Sequence, residues 1–436
     1  MSPRPPLDHV RPGTLRGKPG FFRVGQTKSG QWWFWDADDQ AIFLRAVAAV
    51  NRSGWGDGRP SRPGRYATTV QALYGEDEQR FVRSVIGRLD RWHVNALGAW
   101  AAQEFFDQGL AYTEVVEFRK VGPCIHSGDV LLPDVFDPAW RDAADHWARQ
   151  ICSPRALSRD FVGYFTDHQL GWAQPCLEQP QGVVPADRKQ ERPSLLQVCL
   201  SLEPTFRAYH AAWEFVLAPR QGSLDQLAAD WQLDAPHREA VRQATQSDLP
   251  LLADGYLRDQ RRFAREFARR YFETCSSSIR HYDPNHLVLG CRFAGNPGLA
   301  VLKACVPPHV DVLSTRPERE MWDRGVQACS AANGMPVLLT DMTWADVTFA
   351  RRPMKRETRR LTSIERMLGK GRSYVERVIT QKAAVGYEWA CWADADEDEP
   401  PFGRGLVHID DREAREHTEL LAEINSRAET LRLRAR

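Results

Sequence analysis

Short apolar runs alternate along the chain with amphipathic helical stretches, and this pattern limits the possible folds more than any other feature. The helical stretches, such as 76–92, 138–152, 251–279 and 363–382, carry apolar residues at i, i+3 and i+4 spacing. Strand-like runs between helices predict a parallel sheet wrapped by helices rather than a sandwich. The runs with strand character are 42–50, 93–99, 111–118, 161–166, 286–292, 310–315, 337–341 and 384–389. This set predicts an α/β fold of the (β/α)8 TIM barrel type.

The length of the chain is consistent with one large domain. Its 436 residues exceed the roughly 300 at which single cores stop growing in most folds, but a TIM barrel with insertions accommodates them. We therefore predict a single barrel domain over 1–436. Residues 21–36 predict an N-terminal β-hairpin that covers the bottom of the barrel, and residues 177–248 predict a helical insertion after strand 4. That insertion is expected on the face from which the βα loops emerge.

Charge and hydropathy exclude several classes of partner. The chain has 58 Lys plus Arg against 57 Asp plus Glu, a formal net charge of +1, and so lacks the basic footprint of a nucleic-acid-binding protein. It contains no run of about 18 apolar residues, and its first residues lack the apolar core of a signal peptide. The sequence therefore predicts a cytoplasmic protein with neither a nucleic-acid partner nor a membrane partner, and it leaves the oligomeric state open.

The cysteines indicate buried free thiols. There are nine, an odd number, and they are scattered without the paired spacing of zinc ligands or the density of a secreted disulfide framework. Cys124 and His126 form a lone Cys-x-His pair, which is a weak metal motif. We therefore expect no metal site and no cofactor.

Several motifs follow one another in a characteristic order. They are Phe22-Arg-Val-Gly-Gln with Trp32-Trp-Phe-Trp-Asp36, Trp92-His-Val-Asn-Ala-Leu-Gly-Ala-Trp100, Val162-Gly-Tyr-Phe-Thr-Asp167, Tyr282-Asp-Pro-Asn-His-Leu-Val-Leu-Gly-Cys-Arg-Phe293, and Val385-Gly-Tyr-Glu-Trp389 with Gly405-Leu-Val-His-Ile-Asp-Asp411. In this order the set resembles the agarase-like branch of the retaining (β/α)8 glycoside hydrolases of clan A, over nearly the whole chain. The resemblance implies the barrel fold and a pocket for a small carbohydrate-like ligand, and it does not specify the substrate.

The resemblance also identifies the positions where the family's catalytic residues belong. In that family strand 4 ends in Asn-Glu, with the glutamate as general acid/base, and strand 7 ends in a nucleophilic glutamate. Here His168 matches the asparagine, Gln169 the acid/base and Asp341 the nucleophile, so both catalytic glutamates are substituted. The tyrosine that the family places on strand 6 falls in a stretch, Ser314-Thr-Arg-Pro317, that contains no tyrosine.

These substitutions change the chemistry available at the two positions. Gln169 keeps the size of glutamate but cannot transfer a proton, a step that contributes about 10²- to 10⁴-fold in rate. Asp341 keeps the charge but lies one C–C bond, roughly 1.5 Å, further back, and a misplacement of about 1 Å can cost 10²-fold. His168 is the best alternative acid, with Asp341 as base. Its other role is a neutral ring that hydrogen-bonds a ligand hydroxyl or Asp167.

Further candidates for substrate binding lie at strand ends. Asp167 is either a ligand contact or a structural anion that receives backbone N–H groups. Glu117 is expected to line the barrel, with a salt-bridged role as its alternative. Arg292 and Arg316 could bind a carboxylate or neutralise Asp341. The aromatic rings expected to contact sugar or pack the barrel rim are Trp100, Trp172, Trp344 and Trp389. If Trp389 lines the pocket, the alternation of the strand points Glu388 away from it.

Three hypotheses of function remain, and they leave open whether the protein is an enzyme. The first is an enzyme acting on a small sugar or sugar-derived metabolite by non-standard chemistry, with Asp341 as base and His168 as acid or orienting group. The second is a catalytically silent carbohydrate-binding pseudo-glycosidase. The third is a true glycoside hydrolase. The charge retained at Asp341 slightly favours the first, because a silent pocket would not need it.

Overall fold

The computed structural model describes residues 4–55, 64–106, 108–128, 130–173, 193–246, 253–294, 297–316, 330, 333–345, 357–396, 398 and 402–435. The strands are β1 (Arg23–Gln26), β2 (Trp32–Trp35), β3 (Ala41–Ile42), β4 (Leu44–Val47), β5 (Ala96–Leu97), β6 (Ala111–Val115), β7 (Cys124–Ser127), β8 (Val130–Pro133), β9 (Phe161–Phe165), β10 (Leu287–Val288), β11 (Arg292–Phe293), β12 (Leu313–Thr315), β13 (Val337–Met342), β14 (Ala384–Trp389), β15 (Cys391–Ala393) and β16 (Gly405–Val407). The α-helices are α1 (Arg65–Tyr74), α2 (Glu78–Arg91), α3 (Pro138–Cys152), α4 (Leu195–Ser201), α5 (Arg207–Leu217), α6 (Leu224–Trp231), α7 (Arg238–Gln246), α8 (Asp254–Tyr282), α9 (Leu299–Leu302), α10 (Glu357–Thr380), α11 (Arg415–Asn425) and α12 (Ala428–Arg434).

A large curled sheet forms the centre of the molecule. Nine strands pair in parallel in the order β10, β9, β6, β5, β4, β14, β13, β12, β11. The two end strands, β10 and β11, are separated by only three residues of chain, so the sheet curls until its edges meet at this segment. There the amide of Leu289 donates to the carbonyl of Tyr164 on one side, and the amide of Asp311 donates to the carbonyl of Val288 on the other, at 2.7 and 2.8 Å. The prediction of a mixed α/β fold with a parallel sheet is confirmed, and the sheet is a curled one of nine strands.

The strands of this sheet coincide with the predicted runs, although several are shorter and β11 and β13 each extend one residue further. β14 matches the predicted run at both ends, whereas the run 286–292 corresponds to two pieces, β10 and β11, with a break between them. The amphipathic stretch 138–152 is helix α3, whose first turn is capped by the Asp137 carboxylate accepting from the Ala139 amide. The C-terminal segment forms two helices, α11 and α12, because Arg427 leaves the helical conformation at φ −120° and ψ 10°.

The N-terminal hairpin lies under the curled sheet. β1 and β2 pair antiparallel within 21–36, and the Trp32 amide donates to the carbonyl of Lys382, two residues before β14. Four hairpin side chains join the apolar cluster that fills the interior of the sheet, namely Phe22, Val24, Trp32 and Phe34. The N-terminal ends of the strands are therefore closed by apolar side chains, and a polar ligand can enter only from the other end.

Helices α4 to α7 occupy the described part of the stretch predicted as an insertion. They follow β9 and precede the long helix α8. Ser194 and Gln197 form a capping box at the start of α4, and Ser223 caps α6. Residues 174–192 and 247–252, which include both ends of the predicted insertion, lie outside the described residues. Within the described chain, none of the helices is long and apolar enough to span a membrane.

Arg432 ties the C-terminal helix to the underside of the sheet. Its side chain is fully buried and donates to the carbonyls of Ile379, Gln381, Ala384 and Trp32. Burial lowers the pKa of the guanidinium to about 9, so it still carries its charge at neutral pH. One side chain thus satisfies acceptors from helix α10, strand β14 and the hairpin.

We expect Arg432→Met to lower the free energy of unfolding by about 2–4 kcal/mol, because several buried carbonyls lose their donor. The free energy of unfolding of Arg432→Lys should lie between those of Arg432→Met and the wild type, since an ammonium reaches fewer of these acceptors. Urea unfolding followed by circular dichroism measures the effect. Arg434→Met, an exposed arginine on the same helix, is the matched control and should stay within about 0.5 kcal/mol. Equal stability of Arg432→Met and the wild type would contradict this role.

Candidate functional site

Strained backbone is concentrated at the C-terminal end of the curled sheet. Trp100, Glu117, Gln169 and Asp341 all have positive φ, at 60°, 65°, 47° and 53°. Each lies at or just after the end of a strand of the sheet. Non-glycine residues in this conformation cost about 1–3 kcal/mol and cluster at functional sites. A functional site is therefore expected at this end of the sheet.

Asp341 lies in an irregularity of β13. Leu339 pairs with Tyr387 and Met342 pairs with Trp389, so β13 has one residue more than β14 between these two pairs. An extra residue of this kind forms a bulge, which breaks the alternation of a strand and re-aims a side chain. The Asp341 carboxylate is re-aimed toward Arg292, whose Nη2 donates to Oδ1 at 2.8 Å.

Arg292 is the centre of the polar cluster. Its side chain is fully buried, and its three nitrogens donate to three different residues: Nη1 to Glu388, Nη2 to Asp341, and Nε to Nδ1 of His168 at 3.3 Å. The guanidinium carbon also lies 4.8 Å from the centre of the Trp100 ring. Burial alone would lower the pKa of Arg292, but Asp341 and Glu388 raise it above its ordinary value. The guanidinium is therefore a permanent cation between two carboxylates.

The contacts of Arg292 determine the charge of Asp341 and the position of the proton on the His168 ring. Burial would raise the pKa of Asp341, but the guanidinium of Arg292, with a smaller contribution from Arg316, holds it below its ordinary value, so Asp341 is an anion. Because the Arg292 Nε–H can only donate, Nδ1 of His168 is an acceptor, and the neutral ring carries its proton on Nε2. Asp341 Oδ2 lies 3.9 Å from His168 Nδ1 and has no hydrogen-bond partner among the described residues.

These residues open onto a cavity of about 160 Å³. Gln169 lies at the wall of the cavity beside His168 and Asp341. Its backbone N–H donates to the backbone carbonyl of Arg292 at 2.9 Å. The cavity is lined by Trp55, Trp100, His168, Gln169, Arg316, Asp341, Thr343, Ala390, Cys391 and Arg404. The structure thus brings the three positions predicted as catalytic together with Trp100 and Arg316. Arg316 is exposed here, and Arg292 rather than Arg316 forms the ion pair with Asp341.

Asp167 and Glu117 lie next to the site but have local partners. The Asp167 carboxylate is 1% exposed and accepts from the Arg119 amide and from the Tyr271 hydroxyl, the latter at 2.6 Å. Of the two roles that the sequence left open for Asp167, this is the structural one, in which the side chain accepts a backbone N–H. Glu117 pairs with Lys120 at 2.7 Å, and neither acid is among the residues that line the cavity.

Three of the four tryptophans considered at the pocket pack in the hydrophobic core, which is the packing role that the sequence left open for them. Trp172 packs against Tyr271 and Phe272 of helix α8, and Trp344 packs edge-on against Trp389 at 4.6 Å. Their exposed fractions are 6%, 8% and 0% for Trp172, Trp344 and Trp389, which leaves little ring surface for a sugar. For Trp389 the physical reason is that alternate side chains of a strand in the curled sheet face outward to the helices, where large aromatic rings fill the layer.

Sequence reasoning missed Glu388, Trp55 and Arg404. Glu388 was expected to face away from the pocket, whereas it points inward to Arg292 and Trp389 points outward. A second register shift, between the pairs Val337 with Ala384 and Leu338 with Gly386, sets which face of β14 is internal. Arg404 stacks on the Trp55 ring at 4.9 Å across the cavity wall, and no motif in the sequence marks either residue. Among the described residues, no three His, Cys, Asp or Glu side chains are grouped to hold a metal ion.

Comparisons with known proteins point to one group of carbohydrate-active proteins. No protein-family model matches the sequence. β-Agarase A of Vibrio sp. (strain JT0107) is 24% identical over 335 residues, which cover 71% of this chain and 32% of that protein. The chain therefore spans about a third of the length of this relative.

Solved structures of agarases share the fold. An exo-β-agarase aligns with a TM-score of 0.72 at 17% identity, covering 98% of this chain and 69% of that chain. A second agarase aligns with a TM-score of 0.71 at 18% identity, covering 100% of this chain and 68% of that chain. Together with the sequence match, these similarities support a relationship to the agarase-like glycoside hydrolases, as the sequence motifs predict.

The buried Asp167 gives a testable dependence of stability on pH. Burial raises its pKa to about 7, against an ordinary value of about 3.9. Its neutral form therefore stabilises the fold fully below about pH 4, and this contribution is lost as pH rises through about 7. Asp167→Asn cannot ionise, so we expect its stability relative to the wild type to improve by about 2–4 kcal/mol between about pH 4.5 and 8.

Urea unfolding at several pH values measures this difference. Asp142→Asn, at an exposed position on helix α3, is the control and should follow the wild type at every pH. A constant difference between Asp167→Asn and the wild type across the range would show that Asp167 is ionised throughout.

Proposed function

We propose that this protein is a carbohydrate-binding relative of the glycoside hydrolases, and that the cavity at the C-terminal end of the sheet binds sugar without the two-carboxylate hydrolytic mechanism. The observation that carries the proposal is the pairing of an ionised Asp341, held by the buried Arg292, with Gln169 at the position where an acid would be needed. An anionic oxygen without a partner is a strong acceptor for a sugar hydroxyl. A glutamine has no proton to give a leaving group.

We further propose that the curled sheet is an eight-stranded (β/α)8 barrel in which β10 and β11 are two parts of one interrupted strand. The three-residue separation of these strands and their opposite positions at the sheet edges support this. In a barrel of this type, sites form at the C-terminal ends of the strands. The location of the cavity agrees with that rule.

The arrangement of His168 favours binding over an acid–base mechanism. Glycosidases separate their two carboxyl groups by about 5–5.5 Å when they retain configuration and by roughly 6.5–9.5 Å when they invert it, with the sugar between them. His168 Nδ1 and Asp341 Oδ2 are 3.9 Å apart and side by side on Arg292. They therefore do not face each other across a bond to be cleaved.

The second candidate is hydrolysis, and the state of Asp341 favours it. A carboxylate whose pKa is held low and whose Oδ2 is unpaired can stabilise the positive charge that develops on a sugar ring during cleavage. The relationship to agarases agrees with this role. Hydrolysis would then need an acid from another source, or a leaving group that departs without a proton.

Binding and turnover can be measured on the same protein. Calorimetric titration with agarose-derived neutral oligosaccharides should show binding, and aryl β-galactosides should show little or no release of the aryl group. Asp341→Asn should weaken binding about 10- to 100-fold, since a hydrogen bond to a charged group contributes about 1.5–3 kcal/mol. Asp142→Asn is the control for a removed charge outside the site.

The double variant Gln169→Glu/Asp341→Glu separates the two candidates. Under the binding proposal it should gain hydrolysis of aryl glycosides that the wild type lacks, because both carboxyl groups return. Rapid hydrolysis by the wild type that Asp341→Asn abolishes would overturn the binding proposal and support the second candidate.

A further inference from the structure

Glu388 is a charged residue in the interior of the sheet, with no contact to the cavity. Its carboxylate is completely buried. Oε1 accepts from the Ala99 amide at 2.9 Å and from the Thr113 hydroxyl at 3.2 Å, and Oε2 accepts from Arg292. Strands β6 and β14 and the residues after β5 thus all contribute to holding one anion. An ion in the interior is retained only when its hydrogen bonds are satisfied, as they are here.

The segment after β5 leaves space for the Glu388 carboxylate because it has a glycine, Gly98, at this point. A Cβ atom on Gly98 would come within 2.8 Å of Glu388 Oε1. Gly98 also precedes Ala99, whose amide is one of the donors to Glu388. The position of the Glu388 side chain is therefore fixed from two sides before Arg292 is considered.

The guanidinium of Arg292 needs such an anchor to contact Asp341 and His168 as it does. Its fork of donors is planar and rigid, so fixing Nη1 on Glu388 also sets the directions of Nη2 and Nε. Without the anchor, the guanidinium can turn both terminal nitrogens to Asp341 in the two-point pairing that arginine and carboxylate prefer. That pairing would occupy Asp341 Oδ2 and withdraw Nε from His168.

We propose that Glu388 is a positioning residue of the sugar site, which acts through Arg292 to leave Asp341 Oδ2 free as an acceptor and to keep the neutral His168 ring in its Nε2–H form. The inference rests on the proposed carbohydrate-binding function and adds a recognition rule to it. The ligand that fits is a neutral sugar unit with a hydroxyl that donates to Asp341. Among the described residues, the other charged groups near this pair include Arg292, Arg316 and Arg404.

The ligand-free protein provides the first measurement. Proton–nitrogen NMR of protein labelled in its histidine rings distinguishes the two neutral forms, and a His168→Gln sample assigns the signal among the 12 histidines. The wild type should show a single Nε2–H form of His168 near neutral pH. Glu388→Gln should show a mixture of the two forms and bind an agarose-derived neutral oligosaccharide about 10-fold more weakly.

Two further variants separate positioning from general damage. Glu114→Gln removes another largely buried carboxylate, on strand β6, that pairs with an arginine, Arg155, at 2.9 Å, and it should leave both the His168 form and the affinity unchanged. Gly98→Ala crowds Glu388 without altering any residue of the cavity, and it should reproduce the effect of Glu388→Gln.

If Glu388→Gln does not fold, the variant Arg292→Met/Glu388→Gln removes both charges together and avoids an unpaired ion in the interior. It too should lose the single Nε2–H form. A folded Glu388→Gln or double variant that keeps this form and binds within twofold of the wild type would overturn the inference. Because the NMR measurement needs no sugar, a changed His168 form in a protein that binds no sugar would support the inference and refute the proposed function.

Discussion

The arrangement of the site depends on one buried cation. Arg292 has no access to solvent, and a cation in that position is stable only when carboxylates and aromatic faces replace its water. This requirement places Glu388 inside the sheet and draws Asp341 inward from its bulge. The same guanidinium then determines which nitrogen of His168 holds the proton. The charge and direction of the Asp341 carboxylate and the protonated nitrogen of His168 therefore all depend on Arg292.

The rest of the fold makes this polar cluster possible by dividing the interior of the sheet into two halves. The lower half is apolar, filled by the hairpin and by small and branched side chains of the strands. The upper half contains Thr113, Arg292 and Glu388. The hairpin closes the lower end, and Arg432 connects it to the C-terminal helix, so among the described residues the polar half lies toward the end that holds the cavity.

The relationship to agarases explains the shape of the site better than its chemistry. Fold and function separate readily in barrels, because the residues at the strand ends can change without changing the core. Gln169 and Asp341 occupy strand-end positions with unusual backbone, and that backbone geometry places them at the cavity whatever side chain they carry. The binding function proposed above needs only the cavity and its polar groups, whereas hydrolysis also needs an acid.

Much of this structure could be predicted from the order of the residues alone. The 3.6-residue period of 138–152 and the apolar run 384–389 determine an element that burial then stabilises, so α3 and β14 appear where the pattern indicates. The positions of His168, Gln169 and Asp341 at strand ends follow from the same pattern, and the structure brings them together.

The inward or outward direction of single side chains was decided only by the tertiary structure. Alternation along β14 requires Glu388 and Trp389 to face opposite ways, but the register shift against β13 selects which of them enters the interior of the curled sheet. The sequence contains both residues and the period, whereas the shift depends on how two distant strands pair. For this reason the sequence determined the barrel-like sheet and the strand ends where the candidate residues lie, and the tertiary structure determined that Arg292 joins Glu388, Asp341 and His168 in one cluster.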